Sequence, residues 1–184
     1  WEVLNIGLDE HFLKTLHPDF YYLESDIQQL QRRRAKFSHK GTYGHALLVG
    51  GSYGKIGAVV LSGTAVLRAG AGLLTVAIPQ CGYSILQTAL PEAMVLTCEE
   101  EKHYKTAEIP FTPSAIGVGI GWGTHPETAS ALFGLFQQYP DIPFVMDADA
   151  LNILAQHPEQ LKNLPKNAIL TPHPKELERL IGKW

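Results

Sequence analysis

The sequence predicts an α/β domain, three layers thick, with a mainly parallel sheet between helices. Two observations predict it. From His45 onward, short apolar segments alternate with helix-patterned segments at intervals near the size of a βαβ unit. Strands such as residues 142–146 are apolar without alternation, as strands covered on both faces are. A third observation gives the sheet a working edge. Polar or Gly-rich turns at residues 50–58, 117–123, 147–152 and 171–176 each follow a strand, and such sheets bind ligands along that rim.

The elements follow in order. Residues 3–8 read as a strand, and residues 24–40, with arginines at 32, 33 and 34, as a helix-prone linker whose charge run is a solvated face. Residues 46–49 are a strand. Residues 58–69 form a helix, apolar on nearly all sides and hence buried, stopped by Arg68 and Gly70. Residues 73–78 are a strand closed by Pro79, residues 83–90 a helix, residues 93–97 extended, and the charged stretch 99–105 a loop. Residues 115–118 run as a strand into the second glycine-rich turn. Thr124 and Glu127 stand at capping-box spacing, with Pro126 in the first turn, and start a helix that runs to about residue 138. Then come a strand at 143–146, a helix at 150–155, a strand at 168–170 and a helix at 176–181.

Composition sets the bounds. At 184 residues, 45% hydrophobic and 18% charged, the chain has the make-up of a globular protein. A net charge of −3 gives no reason to expect nucleic acid or an anionic membrane as partner. The charge-free stretch 56–67 is too short for a bilayer, which needs about 20 residues. Cys81 and Cys98 lack metal or redox spacing and read as free thiols of a cytoplasmic protein. The eight histidines show no ligand spacing, so zinc chemistry is not expected.

The turns carry the chemistry. Residues 50–58 fit neither the Walker A loop nor the Gly-x-Gly-x-x-Gly fingerprint, since the spacing is Gly51-x-x-Gly54-x-x-Gly57. Glycines there allow either a tight turn or close approach of a ligand to the next helix N-terminus. Gly117, Gly119, Gly121 and Gly123 alternate, which suits either a flat ligand on bare backbone or close packing of the strand end. Asp147 and Asp149 bracket a strand end, where either caps a helix or orients a hydroxyl or hydrated metal ion. Asn152 lies about one helical turn further on. His173, fixed between Pro172 and Pro174, either satisfies the helix entry or offers a group that exchanges protons near neutral pH.

Taken together, Lys40-Gly41-Thr42-Tyr43-Gly44-His45, residues 50–58, Ala69-Gly70-Ala71-Gly72-Leu73, Pro91-Glu92-Ala93-Met94, residues 117–123, residues 147–152 and residues 171–176 resemble the ADP- or ATP-dependent NAD(P)H-hydrate dehydratase family, a ribokinase-like branch of α/β proteins. The resemblance covers about residues 37–182. It implies that ADP or ATP, with magnesium, phosphorylates the ring hydroxyl of hydrated NADH or NADPH, after which phosphate leaves. It further implies that Ala58, Gly119 or Gly121, and His173 contact the hydrated dinucleotide, with Asp147 and Asn152 on the phosphate and metal side. Lys175 stands where the family generally has Gly, and the Gly-x-Gly-Asp segment that carries the family's catalytic aspartate is not in these residues. Residues 1–23 resemble the tail of a preceding epimerase domain, residues 24–40 a linker and residues 41–184 the first portion of the dehydratase domain. The chain is accordingly expected to be a piece of a longer, cytoplasmic, homo-oligomeric enzyme, catalytically silent alone, with an apolar sheet edge that invites association. A kinase of a small vitamin-precursor alcohol and a non-catalytic nucleotide-binding or assembly module are the two alternatives.

Overall fold

In the computed structural model of the protein, residues 34–183 are described, together with His11, Thr15 and Gln28. The chain divides into two compact units, Trp1–Ser38 and His39–Trp184. In the first, the Ser38 backbone N–H and hydroxyl both donate to the Ala35 carbonyl, at 3.2 and 2.7 Å. The strand expected over residues 3–8 lies outside the described residues, as do Arg32 and Arg33.

The second unit is built on six strands: β1 (His45–Val49), β2 (Leu73–Ile78), β3 (Met94–Thr97), β4 (Ala115–Val118), β5 (Phe144–Met146) and β6 (Ile169–Leu170). Every pairing is parallel and the order is β3-β2-β1-β4-β5-β6. Helices α1 (Ile56–Arg68) and α2 (Tyr83–Ala89) make the first two crossovers, and α3 (Pro126–Gln138), α4 (Asp149–Gln156) and α5 (Pro174–Ile181) follow β4, β5 and β6. The α/β class read from the sequence is the one observed.

Side-chain alternation on the strands sorts the core into two clusters. Leu47, Val49, Ile116, Val118, Phe144 and Met146 pack on Leu132 and Phe136 of α3 and Leu151 and Leu154 of α4. Leu48, Leu74, Val76 and Ile78 face the opposite way, onto Ile56 and Val59 of α1 and Leu86 of α2. Each such side chain, fully buried, contributes about 1.5–3 kcal/mol, so the strands hold their register through many small terms.

The second face is covered over only part of its width. Val145 of β5 and Ile169 of β6 point away from α3 and α4 and are 44% and 57% exposed. Beside α1 they leave an apolar groove of about 480 Å³ whose lining includes Leu48, Val66, Gly117 and Val145. Helix α1 departs from its expected all-round burial: Ile56, Val59 and Gly63 are buried, whereas Leu61 is 74% exposed. The cap of α3 also differs from expectation. His125, not Thr124, is the N-cap, its Nδ1 accepting the Glu127 N–H at 3.3 Å. Among the described residues, no helix is long and apolar enough to cross a membrane.

Candidate functional site at the sheet rim

The strand order reverses between β1 and β4, so the turns after these two strands flank the switch point where parallel sheets open a crevice. Here the two turns are stitched together. The Gly51 N–H donates to the Ile120 carbonyl at 2.8 Å, and the Ser52 hydroxyl donates to the Gly121 carbonyl at 2.8 Å. A Cβ on Gly121, at φ +57°, would stand 2.8 Å from the Lys55 carbonyl and 3.4 Å from Cβ of Ala58. Ala58 and Gly121 are therefore packed neighbours at the first turn of α1.

Gly119 serves the next turn along. At φ +112° its added Cβ would fall 1.9 Å from the Asp147 carbonyl, so only glycine lets the ends of β4 and β5 approach this closely. The glycine surfaces that face open space are others: Gly54, Gly57 and Gly123, where an added Cβ meets nothing within 4 Å. Helix α1 has no side-chain cap, and among its first-turn amides the Ala58 N–H donates to the Lys55 carbonyl at 3.2 Å.

Ala148 connects β5 to α4 in a rare conformation, φ 50° and ψ −115°. Backbone held there costs about 1–3 kcal/mol and needs support from its surroundings. That support comes from Asp149. Its Oδ2 accepts the Gly123 N–H at 2.7 Å and lies 3.6 Å from Lys55 Nζ, while its Oδ1 accepts from Asn152 Nδ2 at 3.3 Å. Asn152 Oδ1 in turn accepts from Arg179 Nη1 at 2.7 Å. Asn152 is thus engaged at both ends of its amide, in a groove of about 540 Å³ shared with Thr124, Asp149 and Arg179.

Asp147 belongs to the other groove, the apolar one beside α1, so the two residues assigned to the phosphate and metal side line different depressions. Its Oδ1 accepts from the Thr171 hydroxyl at 3.0 Å, which ties the turns after β5 and β6. His173 is the N-cap of α5. Its Nδ1 accepts the Lys175 N–H at 3.2 Å, and its own N–H donates to Oε2 of buried Glu176 at 2.9 Å. With Nδ1 accepting, the ring proton sits on Nε2, 3.3 Å from Glu176 Oε1. The imidazole itself is largely exposed at the rim.

The fold thus joins Ala58 to Gly121, Gly119 to the Asp147 backbone, and Asn152 to Asp149. It adds Lys55, Ser52 and Thr171, and gives Gly123 a bond to Asp149, all roles that arise from partners distant along the chain. One grouping runs against the sequence spacing: His103, His125 and Glu127 converge, with their ligand atoms within 4.8 Å of one another.

Against this geometry, the family model described as NAD(P)H-hydrate dehydratase matches residues 46–184. The chain belongs to that family. The NAD(P)H-hydrate dehydratase relatives include the bifunctional NAD(P)H-hydrate repair enzyme Nnr of Coxiella burnetii, 39% identical over 96% of this chain and 35% of its own length. The ADP-dependent (S)-NAD(P)H-hydrate dehydratase of Neisseria meningitidis is 40% identical over 82% of this chain and 50% of its own. Among solved structures, the Bacillus subtilis ADP/ATP-dependent NAD(P)H-hydrate dehydratase, co-crystallised with ATP and Mg²⁺, superposes with a TM-score of 0.71 at 30% identity. That match covers 88% of this chain and 56% of the other. The chain therefore spans between a third and somewhat over half of the length of these relatives.

Proposed function

We propose that this chain is the dinucleotide-facing portion of an ADP- or ATP-dependent NAD(P)H-hydrate dehydratase, and that its sheet rim receives the hydrated nicotinamide dinucleotide. The observation that carries the reading is the topological switch point between β1 and β4, whose two turns are joined by hydrogen bonds, in a chain matched by the family over residues 46–184. Ala58, Gly119 and Gly121 form its backbone wall, with the open glycines Gly54, Gly57 and Gly123 beside it. The exposed His173 ring, its proton held on Nε2, sits on the same rim to orient a substrate hydroxyl.

ADP or ATP is the phosphoryl donor, and magnesium accompanies it. When bound, magnesium neutralises charge on the phosphates, and catalysis of this kind rests on positioning and electrostatics. Asp147 suits that cation, being a carboxylate at a strand end and a hard oxygen donor held by Thr171. Asn152 suits it less well, because Asp149 and Arg179 occupy its amide. Its role is to brace the turn.

The test is ADP-dependent recovery of NADPH from its hydrate by the complete gene product. Asp147→Ala and His173→Ala should each lower kcat/KM by about 100-fold, the scale of a lost positioned group. Wild-type rates in both variants, or consumption of a small alcohol in preference to the hydrate, would overturn the assignment.

A further inference from the structure

We propose that His103, His125 and Glu127 form a binding site for a divalent transition-metal ion of the zinc class. His103 Nε2 lies 2.8 Å from Glu127 Oε2, and His125 Nδ1 lies 3.9 Å from the same oxygen. Ligands about 2.0–2.1 Å from a tetrahedral ion stand about 3.3 Å apart, so these separations bracket a coordination sphere. Small side-chain rotations close it.

The site is held from behind. Each of two ligands has a fully buried neighbour, Tyr104 beside His103 and Thr128 beside Glu127. The Thr128 hydroxyl donates to the Tyr104 carbonyl at 2.7 Å, locking the loop to α3. The Cys98 thiol reaches the His103 carbonyl at 3.7 Å, and the two imidazoles lie against each other, tilted by 31°, with centroids 3.8 Å apart. Lys105 Nζ lies 3.2 Å from Glu127 Oε1, the oxygen away from His103. That leaves Oε2 for the ion and gives the other oxygen the partner that ligating carboxylates characteristically have.

Donor chemistry selects the ion. Two imidazoles and one carboxylate suit zinc, cobalt or nickel, whereas magnesium and calcium prefer all-oxygen sets. Three protein ligands leave a fourth position for water, and Glu127 also borders a groove of about 460 Å³ that runs from Tyr104 and Lys105 along α3. The ion would displace a proton shared between His103 and Glu127 and the 3.3 Å cap bond from the Glu127 N–H to His125, a long and weak one. What it supplies in return is a clamp between the 99–105 loop and the start of α3.

The test titrates the metal-free purified chain with cobalt(II), followed by zinc(II) competition, and reads the visible ligand-field bands. The expected result is one equivalent of cobalt with tetrahedral bands that zinc abolishes. His103→Ala, His125→Ala and Glu127→Gln should each weaken binding by about 100-fold or more, since each removes one of only three protein ligands. His157→Ala, at a remote His–Glu pair, should bind as wild type does. Far-UV circular dichroism identifies any variant that fails to fold, and exposed His125 with the near-isosteric Glu127→Gln then carry the test. No bands, bands unchanged in the folded ligand variants, or bands lost in His157→Ala would overturn the site.

Discussion

The Asp149 carboxylate accepts the Gly123 N–H at 2.7 Å, joining the turn after β4 to the first turn of α4. The same carboxylate faces Lys55 Nζ at 3.6 Å, so one side chain braces three of the rim's turns. The two contacts differ in worth. A charge-assisted bond to a backbone N–H contributes about 1.5–3 kcal/mol, whereas an ion pair with a half-exposed lysine contributes about 0–1 kcal/mol.

Asp149→Ala should therefore destabilise the chain by about 2 kcal/mol, and Lys55→Met by no more than about 0.5 kcal/mol. Urea unfolding curves distinguish them through their midpoints. Equal losses would show that the ion pair, not the bond to Gly123, sustains the brace.

Glycines of similar sequence context should respond unequally to alanine. At Gly119 the new Cβ meets the Asp147 carbonyl at 1.9 Å in addition to its φ of +112°, so overpacking and strain combine to about 3 kcal/mol or more. At Gly123, φ is +76° but nothing lies within 4 Å, and the cost is about 1–2 kcal/mol from conformation alone. Thermal unfolding of the two variants checks the ranking. A Gly123 variant as unstable as the Gly119 variant would contradict it.

His45 supplies a pH dependence. Its Nε2 lies 2.7 Å from the Thr75 hydroxyl and its ring stacks on Phe111 with centroids 3.8 Å apart. Burial holds its pKa below the ordinary histidine value. The unfolded chain then binds the extra proton more readily than the folded one. Stability from this group is complete above about pH 6.5 and declines as pH falls toward the lowered folded value. An imidazole titration by NMR should give a midpoint below 6.5, and His45→Gln should flatten the decline. A midpoint above 6.5 would contradict the assignment.

The uncovered sheet face predicts association. Val145 and Ile169, 44% and 57% exposed, present an apolar surface over β5 and β6 beside the groove along α1. Sedimentation equilibrium should show concentration-dependent self-association that the double variant Val145→Lys, Ile169→Lys abolishes. Monomeric wild-type chain at all concentrations would contradict this.

Much of this molecule was readable one segment at a time. Strand positions followed from apolar runs, and the rim followed from where Gly, Asp and His fell after them. What escaped were facts that depend on distant partners. Ile56 and Gly57 begin α1 earlier than expected because Ile56 is pulled into the core with Val59. Glu127 pairs with His103 and Lys105 in place of a capping box, and His103 lies 24 residues back along the chain. The alternate glycines allowed either a bare ligand surface or close packing of the strand end, and both occur: Gly119 and Gly121 are crowded by neighbouring backbone while Gly123 is open. Local pattern records which residue types a turn tolerates; only packing assigns which of them meets a ligand.

The most direct test of the central claim is hydrogen exchange on the complete gene product with and without hydrated NADPH. Protection is expected at the amides of residues 50–58 and 119–123 and near His173, with the outer face of α3 unchanged. Protection confined to other surfaces, or none at saturating hydrate, would contradict a dinucleotide site on this rim.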